Sequence, residues 1–287
     1  MRKIILIGEP VAHSRSPLMQ NAALAELGLP ARYEAVNTTS AELPERVAAL
    51  RGADYLGANV TLPHKQAVIP LLDRLEDEAA RIGAVNTIYK GAHGELVGAN
   101  TDAPALIMDL AEVGFHPAKR TAVVLGASGA ARAAAFALAH AGVATLVVAN
   151  RTLARAEELL ADLLLAITDE QGLTASGEVP PAMIALELTA ADLALYLMGG
   201  GLLVNATAVG WREGETPLPN PPVDAQNLVY DMVYRQTLLL RESAAQGAAV
   251  RDGLGMLLYQ GALALQHWAH QPAPVEVMRT ALRGAMR

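Results

Sequence analysis

Lys65 and Asp102 are the residues of this 287-residue chain whose types and settings best suit proton transfer to oxygen. A lysine ammonium can protonate the alkoxide that forms when a ketone is reduced, and a nearby carboxylate can orient and tune it. The chain has 22 basic residues but only four lysines, Lys3, Lys65, Lys90 and Lys119. Arginine holds its proton at every accessible pH and cannot make the same exchange. Lys65 precedes a short helix expected over 67–72. A cation is disfavoured at a helix start, so its position calls for a reason.

Four segments of the first hundred residues bring short hydroxyl and amide groups to expected strand ends, where open α/β sheets bind ligands. They are His13-Ser14-Arg15-Ser16-Pro17, Asn59-Val60-Thr61-Leu62-Pro63-His64-Lys65, Gly83-Ala84-Val85-Asn86-Thr87 and Gly98-Ala99-Asn100-Thr101-Asp102. Each alone reads as a cap or turn, and Ser16 is expected to cap a helix. Together they suit a polyhydroxylated ligand. His13 and His64 are expected to be solvated or locally bonded, and no cluster has metal-ligand spacing.

A second site follows the expected strand 121–125. Gly126-Ala127-Ser128-Gly129-Ala130-Ala131 is a glycine-containing strand-to-helix turn, a form that lets backbone N–H groups approach a pyrophosphate at a helix N-terminus. The end of the next strand carries Asn150, Arg151 and Thr152, with Arg155 one turn on. A site for NAD usually has Asp or Glu there. Two guanidiniums and a hydroxyl, with no carboxylate to repel it, suit a 2′-phosphate, so the cofactor read from these residues is NADP.

The elements that must position these groups alternate along the chain. Strands are expected over 4–7, 33–36, 55–60, 85–89, 95–97, 121–125, 145–149, 183–186, 202–205 and 228–232. Helices are expected over 17–27, 41–50, 67–72, 76–82, 128–141, 152–167, 256–270 and 275–286, and a loop over 169–181. Alternation of this kind implies an α/β chain with a mainly parallel sheet covered by helices. Apolar residues make up 52% and charged residues 18%, the opposite of a disordered composition. The net charge of −7, without a basic run, disfavours nucleic acid and anionic membranes as partners. The absence of cysteine excludes thiolate and disulfide chemistry. A mean hydropathy of +0.26 raises the membrane question, but the most apolar window, 133–149, reads as a buried helix followed by a buried strand. The expected location is cytoplasmic.

In order along the chain, Ser-x-Ser-Pro, Asn-Val-Thr-x-Pro-x-Lys, Gly-Ala-Val-Asn-Thr and Asn-Thr-Asp resemble the shikimate dehydrogenase family. So do the glycine turn, Asn150-Arg151-Thr152, the run 205–210, Asp231-Met232-Val233-Tyr234 and the run 253–260. The resemblance implies NADP-dependent, reversible reduction of 3-dehydroshikimate to shikimate in aromatic amino-acid biosynthesis. It also implies two domains. Residues 1–102 and 253–287 would form an α/β substrate-binding domain completed by the C-terminal helices, and 103–252 a Rossmann-like NADP-binding domain. Lys65 and Asp102 would be the catalytic pair. Ser14, Ser16, Thr61, Asn86, Tyr234 and Gln260 would hold the substrate. Gly126, Ala127, Ser128, Gly129, Ala130, Asn150, Arg151, Thr152, Arg155, Thr207, Met232 and Gly253 would hold the cofactor. The molecule would be a monomer or homodimer. The alternatives are an NAD-using quinate/shikimate dehydrogenase and a non-catalytic paralogue that binds a shikimate-like ligand. Ser128 stands where the family usually has glycine.

Overall fold

The structure, a computed structural model, describes all residues except 169–171, 175, 176, 178 and 285–287. Parts of the expected loop 169–181 and residues 285 and 286 of the expected last helix lie outside the described residues. The chain divides into two compact units, Met1–Ala105 with Leu257–Arg287, and Leu106–Met256.

The first unit opens with β1 (Arg2–Gly8), α1 (Ser16–Glu26), β2 (Ala31–Asn37), α2 (Leu43–Ala49) and β3 (Tyr55–Val60). Ile4 to Ile7 are all buried, as a strand covered on both faces requires. After β3 a 3₁₀ turn, Ile69–Leu71, replaces the helix expected over 67–72, so Lys65 stands in a turn and not at a helix start. Pro70 explains the difference, because its missing N–H and fixed φ do not let a helix propagate through it. Next come β4 (Arg74–Leu75), α3 (Asp77–Ile82), β5 (Thr87–Lys90), β6 (Leu96–Ala99) and α4 (Asp102–Glu112). The sheet order is β2-β1-β3-β5-β6-β4, with β5 antiparallel to both neighbours. Ser16 is not the cap of α1 but its first helical residue, followed by Pro17. The hydroxyl in the capping role belongs to Ser14, whose Oγ accepts from the Ser16 N–H at 3.2 Å.

The second unit contains β7 (Thr121–Leu125), α5 (Gly129–His140), β8 (Thr145–Asn150), α6 (Leu153–Ile167), β9 (Ala182–Glu187), α7 (Ala190–Leu197), β10 (Gly201–Asn205), β11 (Asn227–Asp231), α8 (Leu238–Ala245) and β12 (Ala249–Asp252). All six strands are parallel in the order β12-β11-β10-β7-β8-β9. Counted from β7, this is the 3-2-1-4-5-6 order of the doubly wound Rossmann fold. The alanines of α5 are buried on nearly every side, which explains the long apolar window without a membrane. Among the described residues no helix is long and apolar enough to cross one.

A buried carboxylate, Asp109, ties this unit together. It accepts from the Tyr230 hydroxyl and from the Arg251 guanidinium, each at 2.5 Å. A Cβ at Gly255 would overlap its carboxylate oxygens, so glycine there lets the chain pass.

The chain then returns to the first unit through α9 (Leu254–Ala269) and ends in α10 (Val275–Gly284). Trp268 Nε1 donates to the Ile88 carbonyl at 3.0 Å, and Gln20 Nε2 donates to the Gly261 carbonyl at 2.8 Å. Gly57 lies against the Trp268 indole and the Ile88 carbonyl, where a Cβ would overlap both. Gly57→Ala is therefore expected to destabilise the first unit by about 1–3 kcal/mol, the usual cost of overpacking. Denaturant unfolding followed by indole fluorescence measures it, and an unchanged midpoint would show that the indole yields freely.

Candidate functional site

Lys65 is held by its neighbours before its side chain is considered. The His64 ring, 1% exposed, bonds through Nε2 to the Thr38 carbonyl at 2.6 Å, so this histidine is a locally bonded core residue. The His64 N–H is bonded to Thr61 O, and the Lys65 carbonyl accepts from the Val85 N–H at 2.8 Å. The turn that carries Lys65 is thus fixed to the Gly83-to-Asn86 segment. From it Lys65 Nζ reaches Asp102 Oδ2 at 2.6 Å, with the two side chains 14% and 7% exposed.

Asp102 opens α4. Its N–H and that of Ala103 are bonded to Asn100 Oδ1, at 3.0 and 3.2 Å. A helix N-terminus is a favourable place for an anion. Its other oxygen, Oδ1, accepts from Asn86 Nδ2 at 2.9 Å. Asn86 also donates to Thr101 Oγ1, and its Oδ1 accepts from the Thr101 N–H at 2.8 Å. Thr101 Oγ1 donates to the Gln260 carbonyl at 3.0 Å, which joins α9 to the cluster. Lys65, Asp102 and Asn86 thus meet in one hydrogen-bonded set with the main-chain carbonyl of Gln260, whose side-chain Nε2 donates to the Leu257 carbonyl at 2.8 Å.

Ser14 and Ser16 follow β1, and Thr61 follows β3. The Thr61 N–H bonds to the Ile7 carbonyl and the Glu9 N–H to the Leu62 carbonyl, so these two strand ends adjoin. Tyr234 is carried by the second unit, its ring edge-on to Trp211 at 4.7 Å. Asn59, Thr87 and Thr101 lie in the cluster without having been singled out by type, although each stands inside one of the recognised motifs. Tyr33 belongs to no motif, and a tyrosine inside a strand carries no signal beyond that of core.

In the second unit the expected cofactor residues fall at the carboxyl ends of parallel strands. Gly126 follows β7 with φ +108°, and a Cβ there would stand 3.0 Å from Thr207 Cγ2. Ser128 is the N-cap of α5, but its side chain caps none of the first-turn N–H groups. It donates to the Ala206 carbonyl at 3.2 Å instead, so the residue in place of the usual glycine ties the turn to the end of β10. This leaves the helix N-terminus with Gly129 and Ala130 for an anion, at the switch point between β7 and β10. Asn150 ends β8 and donates to the Thr152 carbonyl at 3.0 Å. Arg151, Thr152 and Arg155 are exposed, and among the described residues neither guanidinium has an ion-pair partner. These residues fit a dinucleotide with a 2′-phosphate. Thr207 bonds to Asn205 Oδ1, the Met232 N–H to the Asn205 carbonyl, and Gly253 lies against the Met232 carbonyl, where a Cβ would overlap it. Among the described residues no group of three or more acidic or histidine side chains could hold a metal ion.

Residues 6–88 match the family model described as shikimate dehydrogenase substrate binding domain, and residues 253–283 match shikimate 5'-dehydrogenase C-terminal domain. Shikimate dehydrogenase (NADP(+)) of Moorella thermoacetica is 44% identical, over 99% of this chain and 93% of the relative. The crystal structure of shikimate dehydrogenase from Aquifex aeolicus superposes with a TM-score of 0.85 at 30% identity, over 99% of this chain and 98% of that one. Shikimate 5-dehydrogenase from Thermus thermophilus, solved in complex with NADP(H) and shikimate, gives 0.82 at 38% identity, over 99% of this chain and 100% of that one.

Beneath the second site lies Asp231, at the end of β11 and fully buried. Burial raises its carboxyl from 3.8 to about 6, against the hydrogen bonds from Thr237, Val233 and Asn205 that favour the anion. The folded protein thus holds this proton more tightly than the unfolded chain. The resulting stability is complete below about pH 3.8 and is lost as pH rises through about 6. Asp231→Asn mimics the protonated form. Its stability relative to the parent protein is expected to rise by about 2 kcal/mol between pH 4 and 7. Paired melting curves across that range measure the difference, and a constant gap would show that the carboxyl does not titrate there.

Proposed function

The chain belongs to the shikimate dehydrogenase family of oxidoreductases, and on that premise we propose that it interconverts 3-dehydroshikimate and shikimate with NADP. The observation that carries this reading is the Lys65–Asp102 pair, 2.6 Å apart, with the Asn86 amide on the free carboxylate oxygen. A bound nicotinamide supplies hydride exchange at its C4. Lys65 holds the proton that goes to the carbonyl oxygen as the alkoxide forms, and takes it back in the oxidation of the alcohol. Asp102 orients the ammonium and offers an acceptor to the substrate hydroxyl. Ser14, Ser16, Thr61 and Gln260 bind the substrate carboxylate and hydroxyls, and Asn86 joins them through its bond to Asp102. Gly126 to Ala130 receive the pyrophosphate on backbone N–H groups. Asn150, Arg151, Thr152 and Arg155 would hold the 2′-phosphate, and Thr207, Met232 and Gly253 would hold the nicotinamide end of the cofactor.

Two measurements test the assignment. Lys65→Ala is expected to lose at least about 100-fold in kcat, the lower range for a general acid–base group, with KM for shikimate within about threefold. A folded variant that turns over at the parent rate would remove Lys65 from the mechanism. Arg151→Ala is expected to raise KM for NADP about tenfold and to leave KM for NAD unchanged, because only the phosphorylated cofactor offers the forked guanidinium contact. Assays with shikimate and quinate, each with both cofactors, read this directly, and an unchanged KM for NADP would overturn the phosphate assignment.

A further inference from the structure

We propose that Tyr33, Asn59 and Thr87 are positioning residues for Asp102, forming a one-way chain of hydrogen-bond donors that ends on Asp102 Oδ1 through Asn86. The proposal rests on the Lys65/Asp102 reading given above.

Two backbone groups set the direction of the chain. The Asn86 carbonyl can only accept, so the atom facing it at 3.0 Å is Asn59 Nδ2. That turns Asn59 Oδ1 towards Tyr33, whose hydroxyl donates to it at 2.8 Å. Burial pushes the Tyr33 phenol well above its ordinary range, against a hydrogen bond with Ser16, so the phenol keeps its proton. At the other end, the Thr101 N–H can only donate, so the atom facing it is Asn86 Oδ1. That turns Asn86 Nδ2 towards Asp102.

Thr87 joins the two amides. Its Oγ1 accepts the second N–H of Asn59 at 3.1 Å and gives its own proton to Asn86 Oδ1 at 3.0 Å. Both N–H groups of Asn86 are then occupied, by Thr101 Oγ1 and Asp102 Oδ1, each at 2.9 Å. Every donor in the chain meets an acceptor, and all of these side chains are buried. In a low-dielectric interior each such bond polarises the next.

The result is a carboxylate that cannot turn. Oδ1 is fixed by the amide, so Oδ2 stays on Lys65. When Lys65 passes its proton to the substrate oxygen, the carboxylate loses its nearest compensating charge, and the Asn86 N–H remains as a donor. The benefit arises during proton transfer and not on substrate binding, so loss of the chain falls on kcat.

The test compares Thr87→Val, which keeps the shape and removes the hydroxyl, with Thr87→Ser, which restores the hydroxyl without the methyl. Thr87→Val is expected to lower kcat about tenfold, the value of one buried hydrogen bond, with KM for shikimate within about twofold. Thr87→Ser is expected to recover at least half of the parent kcat. If Thr87→Val does not fold, as judged by circular dichroism and melting, Tyr33→Phe takes its place, with a loss of about threefold expected in kcat alone. A folded Thr87→Val or Tyr33→Phe with the parent kcat, a loss expressed in KM, or a loss that serine does not recover would overturn the proposal. Lys65→Ala is measured alongside. An active Lys65→Ala would refute the underlying mechanism, whereas an inactive Lys65→Ala beside a fully active Thr87→Val would refute the positioning chain alone.

Discussion

An ammonium and a carboxylate drawn out of water lose more in hydration than their attraction returns, unless their remaining hydrogen-bonding positions are filled. The Lys65–Asp102 pair meets that constraint, and much of the first unit is arranged around it. The carboxylate sits at the start of α4, where helix N–H groups favour an anion. Asn100 takes up the N–H groups of that first turn, which fixes the residue's backbone. Asn86 fills the second oxygen. On the lysine side, the buried His64 and the bond from Val85 fix the turn, so the flexible stem of Lys65 starts from a rigid point. The antiparallel placing of β5 between β3 and β6 brings Asn59, Thr87 and the segment after β6 within reach of one another.

The second unit solves a different problem with backbone geometry. Six parallel strands put every carboxyl end on one edge, and the reversal of winding between β7 and β10 leaves room there. Ser128 shows how a side chain can stand in for a missing one. A glycine would leave the turn free, whereas the serine hydroxyl ties it to the end of β10 while leaving the helix N–H groups uncapped.

Much of this was legible in the chain because it rests on short motifs whose spacing is set by strand ends. The strand–turn–helix around Gly126 and the Asn150-Arg151-Thr152 segment could be read almost residue by residue, since parallel strands buried on both faces are continuous apolar runs. Other parts were not. Helix α4 was masked by the capping motif that begins it, and α7 and α8 are only eight residues long, too short for a period to stand out. The pattern Ser-Pro marks a helix start and points to Ser16 as its cap, but Ser14 supplies the hydroxyl and the helix begins one residue earlier, at Ser16. The apolar run 67–72 reads as a helix after Lys65, yet Pro70 allows only a single 3₁₀ turn. The bonds that hold Asp231 had no local signal, since Asn205 and Thr237 reach it from separate segments.

The two amides beneath Asp102 also bear on how the protein ages. Asparagine deamidates when the next residue's backbone nitrogen attacks the side-chain amide carbon, which requires the side chain to swing over its own main chain. Asn86 is held at its oxygen by Thr101 and Thr87 and at its nitrogen by Thr101 and Asp102, and the following residue is clamped in β5 between two strands. The swing is closed to it. The protection matters because an aspartate at this position would set a second carboxylate beside the first and leave Asp102 with no amide N–H from this side. The same bonds that hold Asp102 in place also hold Asn86 away from the slow chemistry that would remove its amide N–H.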